Sequence, residues 1–237
     1  MSFVDKNREA LLRAMRTSHE KSLRARTEYE FFGDTTVYVK DEINGEVDLD
    51  HVLTKVKHLI PDSFLKELDI VYIGQFQDLI DKQVNAAYDQ GALYITNEQD
   101  NDEDLIDDFI HEIAHAVEEK YGPGLYGDGK IELEFLGKRK RLFQVMRQEI
   151  DEDMTNMAKY FTDVEYDADF DDFLYKIVGY PVLTSLTMGL FISPYGVTSI
   201  REYFATGFEE YYLKDRKYLQ NISPAIYKKI YELENEV

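Results

Sequence analysis

Two histidines and a glutamate in the segment DDFIHEIAHAVEEKYG could hold and use a metal ion. His111 and His115 are four residues apart, so on a helix their imidazole rings lie one turn apart on one face and can converge on a single ion. Glu112 would lie beside that ion, where a carboxylate can take a proton from an attacking water. The simpler alternative is two hydrogen-bonded core histidines next to a solvated carboxylate. Uncharged residues follow Glu112, as a buried metal-binding helix requires, so we predict a zinc site.

The third ligand of such a site should be a carboxylate further along the chain. A catalytic zinc takes three protein ligands and leaves one position for water. There is no cysteine, and no later histidine follows at the spacing of a metzincin. The remaining histidines lie far upstream, at His19, His51 and His58. In the segment SPYGVTSIREYFATGFEEYYL, helical periodicity leaves Glu202, Glu209 and Glu210 open, and Glu202 could instead form a capping box with Ser199.

The segments FIHEIAHAVEE and SPYGVTSIREYFATGFEEYYL together resemble the two signature segments of the anthrax lethal factor-like zinc peptidases. The resemblance covers residues 68–237. It implies that Glu202 is the third zinc ligand and that Tyr195, seven residues earlier, assists catalysis by donating to the oxyanion. The stretch between the two segments is longer than in that family, so we interpret residues 123–175 as an insertion near the cleft.

These features predict a zinc-dependent endopeptidase that binds Zn²⁺ and a protein or peptide substrate. Asp108 and Glu119 are candidate acceptors for the ring N–H groups of the ligand histidines, although the sequence favours the simpler interpretation of both as solvated helix carboxylates. The strand-like segment GALYITN, residues 91–97, could be a sheet edge that receives an extended substrate. Burial of Leu93 and Ile95 in the core also explains that segment, and both can hold.

Two other functions compete with the peptidase. The first is a structural or docking protein of a phage-like or other assembly that retains a metallopeptidase fold. The second is a metal-dependent hydrolase of a non-peptide substrate. The presence of the whole set of candidate site residues favours an enzyme, because docking makes no demand for all five: His111, Glu112, His115, Tyr195 and Glu202.

Charge and composition restrict the partners. The 237 residues include 47 acidic and 27 basic side chains, a formal net charge of −20, which argues against nucleic acid. Residues 1–26 are the exception, with seven basic and three acidic side chains. We interpret residues 1–30 as a basic helix or arm that packs on the fold or docks a protein partner.

The location of the protein is predicted from two absences in the sequence. No signal-peptide pattern begins the chain. The uncharged run 177–200 contains glycines and prolines that lipid would not tolerate, so we interpret it as buried core plus loop. We therefore expect a soluble protein without membrane partners, cytoplasmic or virion-associated rather than secreted through a signal peptide.

The elements that must position the site suggest an α+β fold. Residues 35–40, 68–76 and 91–97 have strand composition, and residues 50–60 have helical spacing. The helix with the two histidines should stop at Gly122 and Pro123, and two helices joined near residues 221–224 should end the chain. We predict a zincin-like catalytic domain over residues 31–237, in which a small mixed sheet, an active-site helix and a C-terminal helical part surround the site.

Overall fold

The computed structural model describes residues 27–149 and 154–236. Within them five strands form one mixed sheet in the order β1-β2-β3-β5-β4. The strands are β1 (Glu28–Glu30), β2 (Thr36–Val39), β3 (Ile70–Ile73), β4 (Ala86–Asp89) and β5 (Ala92–Ile95). The basic segment 1–26 lies outside the described residues. The helix predicted over residues 1–30 cannot include its last three residues, because these form β1.

The centre of the sheet is parallel and its inner face is buried. Strands β2, β3 and β5 run parallel in register, whereas β1 and β4 pair antiparallel at the two edges. Alternate side chains point inward, and apart from the half-buried Val39 the inward set of the central strands is inaccessible to solvent. The inaccessible residues are Val37, Val71, Ile73, Leu93 and Ile95. The expected burial of residues 93 and 95 is confirmed, but the prediction that their strand is a sheet edge is wrong, because β4 covers it.

Three helices lie between the strands and the others follow β5, so that helices dominate the second half of the described chain, which confirms the α+β class. The first five are α1 (Leu49–Leu59), α2 (Asp62–Leu65), α3 (Gln77–Lys82), α4 (Asp102–Tyr126) and α5 (Lys130–Glu149). The remaining ones are α6 (Ala168–Asp172), α7 (Tyr180–Thr187), α8 (Ile200–Leu213), α9 (Arg216–Ile222) and α10 (Pro224–Glu236). Short 3₁₀ segments lie at Thr155–Met157, Tyr160–Thr162 and Tyr195–Val197, and a π-helical segment at Phe173–Val178.

Helix α4 is longer than the sequence predicts. It begins at Asn101, whose side chain accepts from the N–H of Asp104, and it continues through Gly122 and Pro123 for one more turn. That last turn is held by tertiary contacts: Leu125 is fully buried, and the Tyr126 hydroxyl donates to Glu118 at 2.5 Å. Because these contacts outweigh the poor helix propensity of glycine and proline, the predicted stop is wrong.

The C-terminal part also differs in detail from the prediction. The expected junction near residues 221–224 separates α9 from α10, but a further break at Lys214–Asp215 gives three helices instead of two. The Asp215 carboxylate accepts from the N–H groups of Lys217 and Tyr218 and so starts α9.

The uncharged run 177–200 is only partly buried. Leu183 and Phe191 belong to the core, whereas Ile177, Val182 and Met188 are exposed, so the prediction of buried core plus loop is correct for only part of the segment. In the described part of the chain no helix combines the length and the apolarity needed to cross a bilayer.

Candidate metal centre

Two helices bring the candidate ligands together. Helix α4 packs its apolar stripe into the core and places His111 and His115 one turn apart on the side that faces α8. Helix α8 begins where Ser199 Oγ accepts from the N–H of Glu202 at 3.1 Å. The capping interaction therefore uses the backbone of Glu202 and leaves its carboxylate directed at the two imidazoles.

Three side chains form a group that could hold a metal ion: His111, His115 and Glu202. One oxygen of Glu202 lies 3.1 Å from His111 Nε2, and the other lies 3.7 Å from His115 Nε2. All three donor atoms lie within 4.8 Å of one another. Of the three carboxylates that periodicity left open, the structure places Glu202 in this group.

These separations are of the size that a tetrahedral ion requires. Ligand bonds of about 2.0–2.1 Å at tetrahedral angles set neighbouring donor atoms about 3.3 Å apart. The two separations from Glu202 are comparable to that value, but each involves a different carboxylate oxygen. One oxygen of Glu202 would therefore have to turn toward an ion held between the two Nε2 atoms.

The opposite ring nitrogen of each histidine contacts a second carboxylate. His111 Nδ1 pairs with Glu209, and His115 Nδ1 lies 3.4 Å from Glu118. A carboxylate at Nδ1 fixes the tautomer that leaves Nε2 free to bind a metal. Glu209, an alternative ligand by periodicity, therefore contacts a candidate ligand instead. The role of Glu118 was missed, although its position three residues after His115 on one helical face was a usable signal.

The acceptors expected from the sequence have other partners. Asp108 accepts from Gln99 Nε2 at 2.8 Å, and Glu119 hydrogen-bonds the Tyr88 hydroxyl. The Nδ1 atoms of His111 and His115 contact Glu209 and Glu118 instead. The prediction that these two carboxylates accept from the ligand rings is wrong.

Glu210 and the upstream histidines lie outside the group. Glu210 accepts from the N–H of Asp215 at 3.2 Å and so supports the break before α9. His51 pairs with Asp102 at 2.7 Å, and His58 lies in the last turn of α1. His19 lies outside the described residues.

Glu118 links both helices of the centre. Besides His115, it accepts from the Tyr126 hydroxyl and from Arg201 Nε, at 2.5 and 2.9 Å. Arg201 precedes Glu202 on α8, so this ion pair ties the ligand-bearing turn of α8 to α4. Burial would raise the pKa of Glu118, but these three partners together lower it, which keeps the carboxylate ionised.

The local field favours a cation. Burial alone would lower the pKa of His111, but Glu202 and Glu209 raise it well above its usual value. Burial raises the pKa of Glu112, although the two histidines oppose this effect. Burial also raises the pKa of Asp108, to about 6. Several carboxylates thus surround two imidazoles in a poorly solvated space, where a divalent ion would neutralise charge.

Tyr195 lies in a 3₁₀ turn beside the centre. Its ring centroid is 6.2 Å from that of His111, and 38% of the residue is exposed. The turn packs so closely on α8 that a Cβ at Gly196 would lie 2.7 Å from Thr206 Oγ1. Burial and the nearby Glu202 raise the pKa of Tyr195, so its hydroxyl stays protonated and can donate.

The buried Arg139 holds this turn in place, a role that the sequence did not indicate. Its guanidinium donates to the carbonyl oxygens of Val197 and Thr198 on one side and of Tyr160 and Asp163 on the other, at 2.5–2.9 Å. Because Arg139 is fully buried and belongs to α5, it fixes the Tyr195 turn to the body of the fold.

The edge strand β4 reaches the centre. The backbone N–H of Tyr88 donates to the Glu112 carboxylate. Directly after β5, the N–H of Thr96 donates to the carbonyl oxygen of Asn85 at 2.7 Å. In an antiparallel strand, the backbone groups of alternate residues point to opposite sides. Ala86 and Tyr88 therefore direct their backbone groups to the outer edge of β4, next to Glu112, where no other described strand pairs.

No protein-family model, curated protein or solved structure matches the chain. The side chains themselves therefore characterise the site. His111, His115 and Glu202 form a group that could hold a metal ion, and Glu209, Glu118 and the edge strand β4 flank this group.

Proposed function

We propose that this protein is a zinc-dependent endopeptidase with a zincin-like catalytic domain related to the anthrax lethal factor-like peptidases. The observation that carries the proposal is the convergence of His111, His115 and Glu202, which are distant in sequence, beside the buried Glu112. The proposal further draws on the resemblance of the two segments that supply these residues.

Zinc is the ion we propose, because two imidazoles and one carboxylate are the ligand set of one class of catalytic zinc site. When bound, zinc would polarise the scissile carbonyl and lower the pKa of a water to about 7. His111, His115 and Glu202 would hold it, and Glu209 and Glu118 would keep the imidazoles in the required tautomer.

Glu112 is the proposed general base. Its carboxylate would take a proton from the attacking water and pass it to the leaving amine. A carboxylate whose pKa is raised by burial is a stronger base than a solvated one, and the Tyr88 N–H restrains its orientation. Glu112 lies on the same helix as both histidines, so α4 fixes the relative positions of base and ligands.

The substrate would bind as an added strand on the free edge of β4. The Ala86 N–H and the carbonyl oxygens of Ala86 and Tyr88 point outward there, which suits an extended peptide, whereas the Tyr88 N–H is bonded to Glu112. Tyr195, beside His111, would donate its hydroxyl to the oxyanion that develops in the transition state. A strand edge favours a peptide over other substrates, because each backbone group has a matching peptide partner.

A zinc measurement and a cleavage assay on the full chain test the proposal. We expect stoichiometric zinc after reconstitution and cleavage of members of a peptide library. Glu112→Gln should keep zinc and lower kcat/KM by about 10²–10⁴-fold. The matched control is Glu103→Gln on the exposed first turn of the same helix, which should leave cleavage unchanged.

Each failure of the assay has a separate meaning. Unchanged cleavage by the Glu112→Gln variant would refute the general-base assignment. Stoichiometric zinc with no peptide cleavage would favour the docking function or a non-peptide hydrolase. No metal binding by the wild-type chain would remove the basis of the proposal.

A further inference from the structure

The guanidinium of Arg201 lies beside the candidate metal group, and the fold uses only part of its hydrogen-bonding capacity. Its Nε donates to Glu118 at 2.9 Å, whereas Nη1 and Nη2 have no hydrogen-bond partner among the described residues. The side chain is 55% exposed. A guanidinium has five N–H groups, so those of the two terminal nitrogens remain available to a bound molecule.

Arg201 lines an open cleft of about 360 Å³ together with the end of β4. The other lining residues are Tyr88, Asp89, Gln90, Glu118 and Glu119. Tyr88 and Asp89 close β4, and the two glutamates belong to α4. The cleft adjoins the metal group, because Glu118 contacts His115 and Arg201 directly precedes Glu202.

We propose that Arg201 binds the substrate by donating to a backbone carbonyl oxygen of the peptide. This inference rests on the proposed peptidase function, in which the peptide adds to the outer edge of β4. Alternate residues of an extended peptide direct their backbone groups to opposite sides, so one set pairs with β4 and the other set faces away from it. The guanidinium of Arg201, in the cleft that the end of β4 also lines, is a donor for this second set.

The charge of the cleft favours a neutral acceptor over a carboxylate. Three carboxylates, those of Asp89, Glu118 and Glu119, line it against the one guanidinium, which is already paired with Glu118. A substrate carboxylate would add a further negative charge at short range, where like charges repel. A carbonyl oxygen accepts a charge-assisted hydrogen bond without adding charge. Arg201 therefore suits an internal carbonyl group of a peptide and not a free C-terminal carboxylate.

A double-mutant cycle between enzyme and substrate tests this contact on the zinc-loaded full chain. The substrates are a cleaved library peptide and a series of analogues, in each of which a trans alkene replaces one peptide bond. Loss of a hydrogen bond to a charged group should lower kcat/KM of Arg201→Met by about 10–100-fold, mainly through KM. One alkene analogue should lower kcat/KM of the wild type more than that of Arg201→Met, by a similar factor.

Two further variants and a zinc measurement separate substrate binding from a structural role. Arg201→Lys keeps the charge without the planar fork, so it should recover only part of the activity. Arg141→Met removes an exposed arginine of α5 and should cleave like the wild type. Arg201 also holds Glu118, so the zinc content of each variant is measured. A purely structural effect would lower kcat/KM for all analogues by one factor.

The outcomes distinguish this inference from the function on which it rests. Cleavage by the wild type, with the same factor between wild type and Arg201→Met for every analogue, would overturn the role of Arg201 alone. Loss of the Arg201 effect when the C-terminus of the peptide is amidated would show carboxylate binding and also overturn it. A zinc-loaded wild type that cleaves no peptide would refute the proposed peptidase function, and the inference with it.

Discussion

Replacing Arg139 by methionine should destabilise the protein more than most single substitutions. Arg139 is fully buried, and its five N–H groups all donate to backbone carbonyl oxygens. Its guanidinium also lies 4.5 Å from the Phe135 ring and 4.9 Å from the Phe170 ring. Methionine keeps the apolar stem but leaves four carbonyl groups without this donor, three of them buried.

The expected loss is about 4 kcal/mol of unfolding free energy. Hydrogen bonds to charged groups contribute about 1.5–3 kcal/mol each, so a plain sum over five bonds would overshoot. Two effects reduce this sum. Desolvation of the charge in the folded protein opposes the hydrogen bonds, as shown by the pKa of Arg139, which burial lowers to about 10. Water can also reach some of the released carbonyl groups. For a chain of this size, about 4 kcal/mol corresponds to a fall in Tm of about 8–16 °C.

Thermal and urea denaturation of the full chain, with three variants, would measure this. Arg139→Lys keeps the charge but has three donors without a planar fork, so its loss should be about half that of Arg139→Met. The exposed neighbour provides the control, since Lys140→Met should change stability by less than about 0.5 kcal/mol. A loss below about 1 kcal/mol for Arg139→Met would refute the view that this guanidinium holds the Tyr195 turn.

Three further predictions concern the metal centre and the pH dependence of stability. Glu118→Gln should weaken zinc binding about 10–100-fold in a chelator competition, because His115 loses its charged Nδ1 partner. The control Glu119→Gln should leave zinc binding unchanged. Equal effects of the two substitutions would contradict the role assigned to Glu118. Zinc at a hundredfold excess over its Kd should raise the unfolding free energy by about 2.7 kcal/mol, and Glu202→Gln should abolish most of that increase in a thermal shift. Burial lowers the pKa of Lys138 to about 8 from its usual 10.5, so the unfolded chain binds more protons between these pH values and stability rises with pH there. Denaturation from pH 7 to 10.5 should show that Lys138→Met reduces the rise of the unfolding free energy with pH by at most about 3 kcal/mol. The same pH dependence in the variant and the wild type would contradict the role of Lys138.

Local periodicity made much of the fold and half of the site predictable. The three parallel strands and α1 appear where β-branched composition and helical spacing indicated them. The positions of His111, Glu112 and His115 relative to one another follow from α-helical geometry alone, because residues four apart in a helix are always neighbours. Where the prediction failed, as at Gly122 and Pro123, a buried side chain and a hydrogen bond outweighed local propensity.

The sequence by itself determined the side chains of the candidate site: a pair of imidazoles with an adjacent carboxylate on one helix, and a second helix with three candidate acidic residues. Only the tertiary structure decided that Glu202 faces the imidazoles, that Glu209 and Glu118 support them, and that β4 forms the free edge. The physical reason is the range of the interactions. Helical geometry fixes neighbours within a few residues, whereas the contact between His111 and Glu202 joins positions 91 residues apart and depends on how α4 and α8 pack.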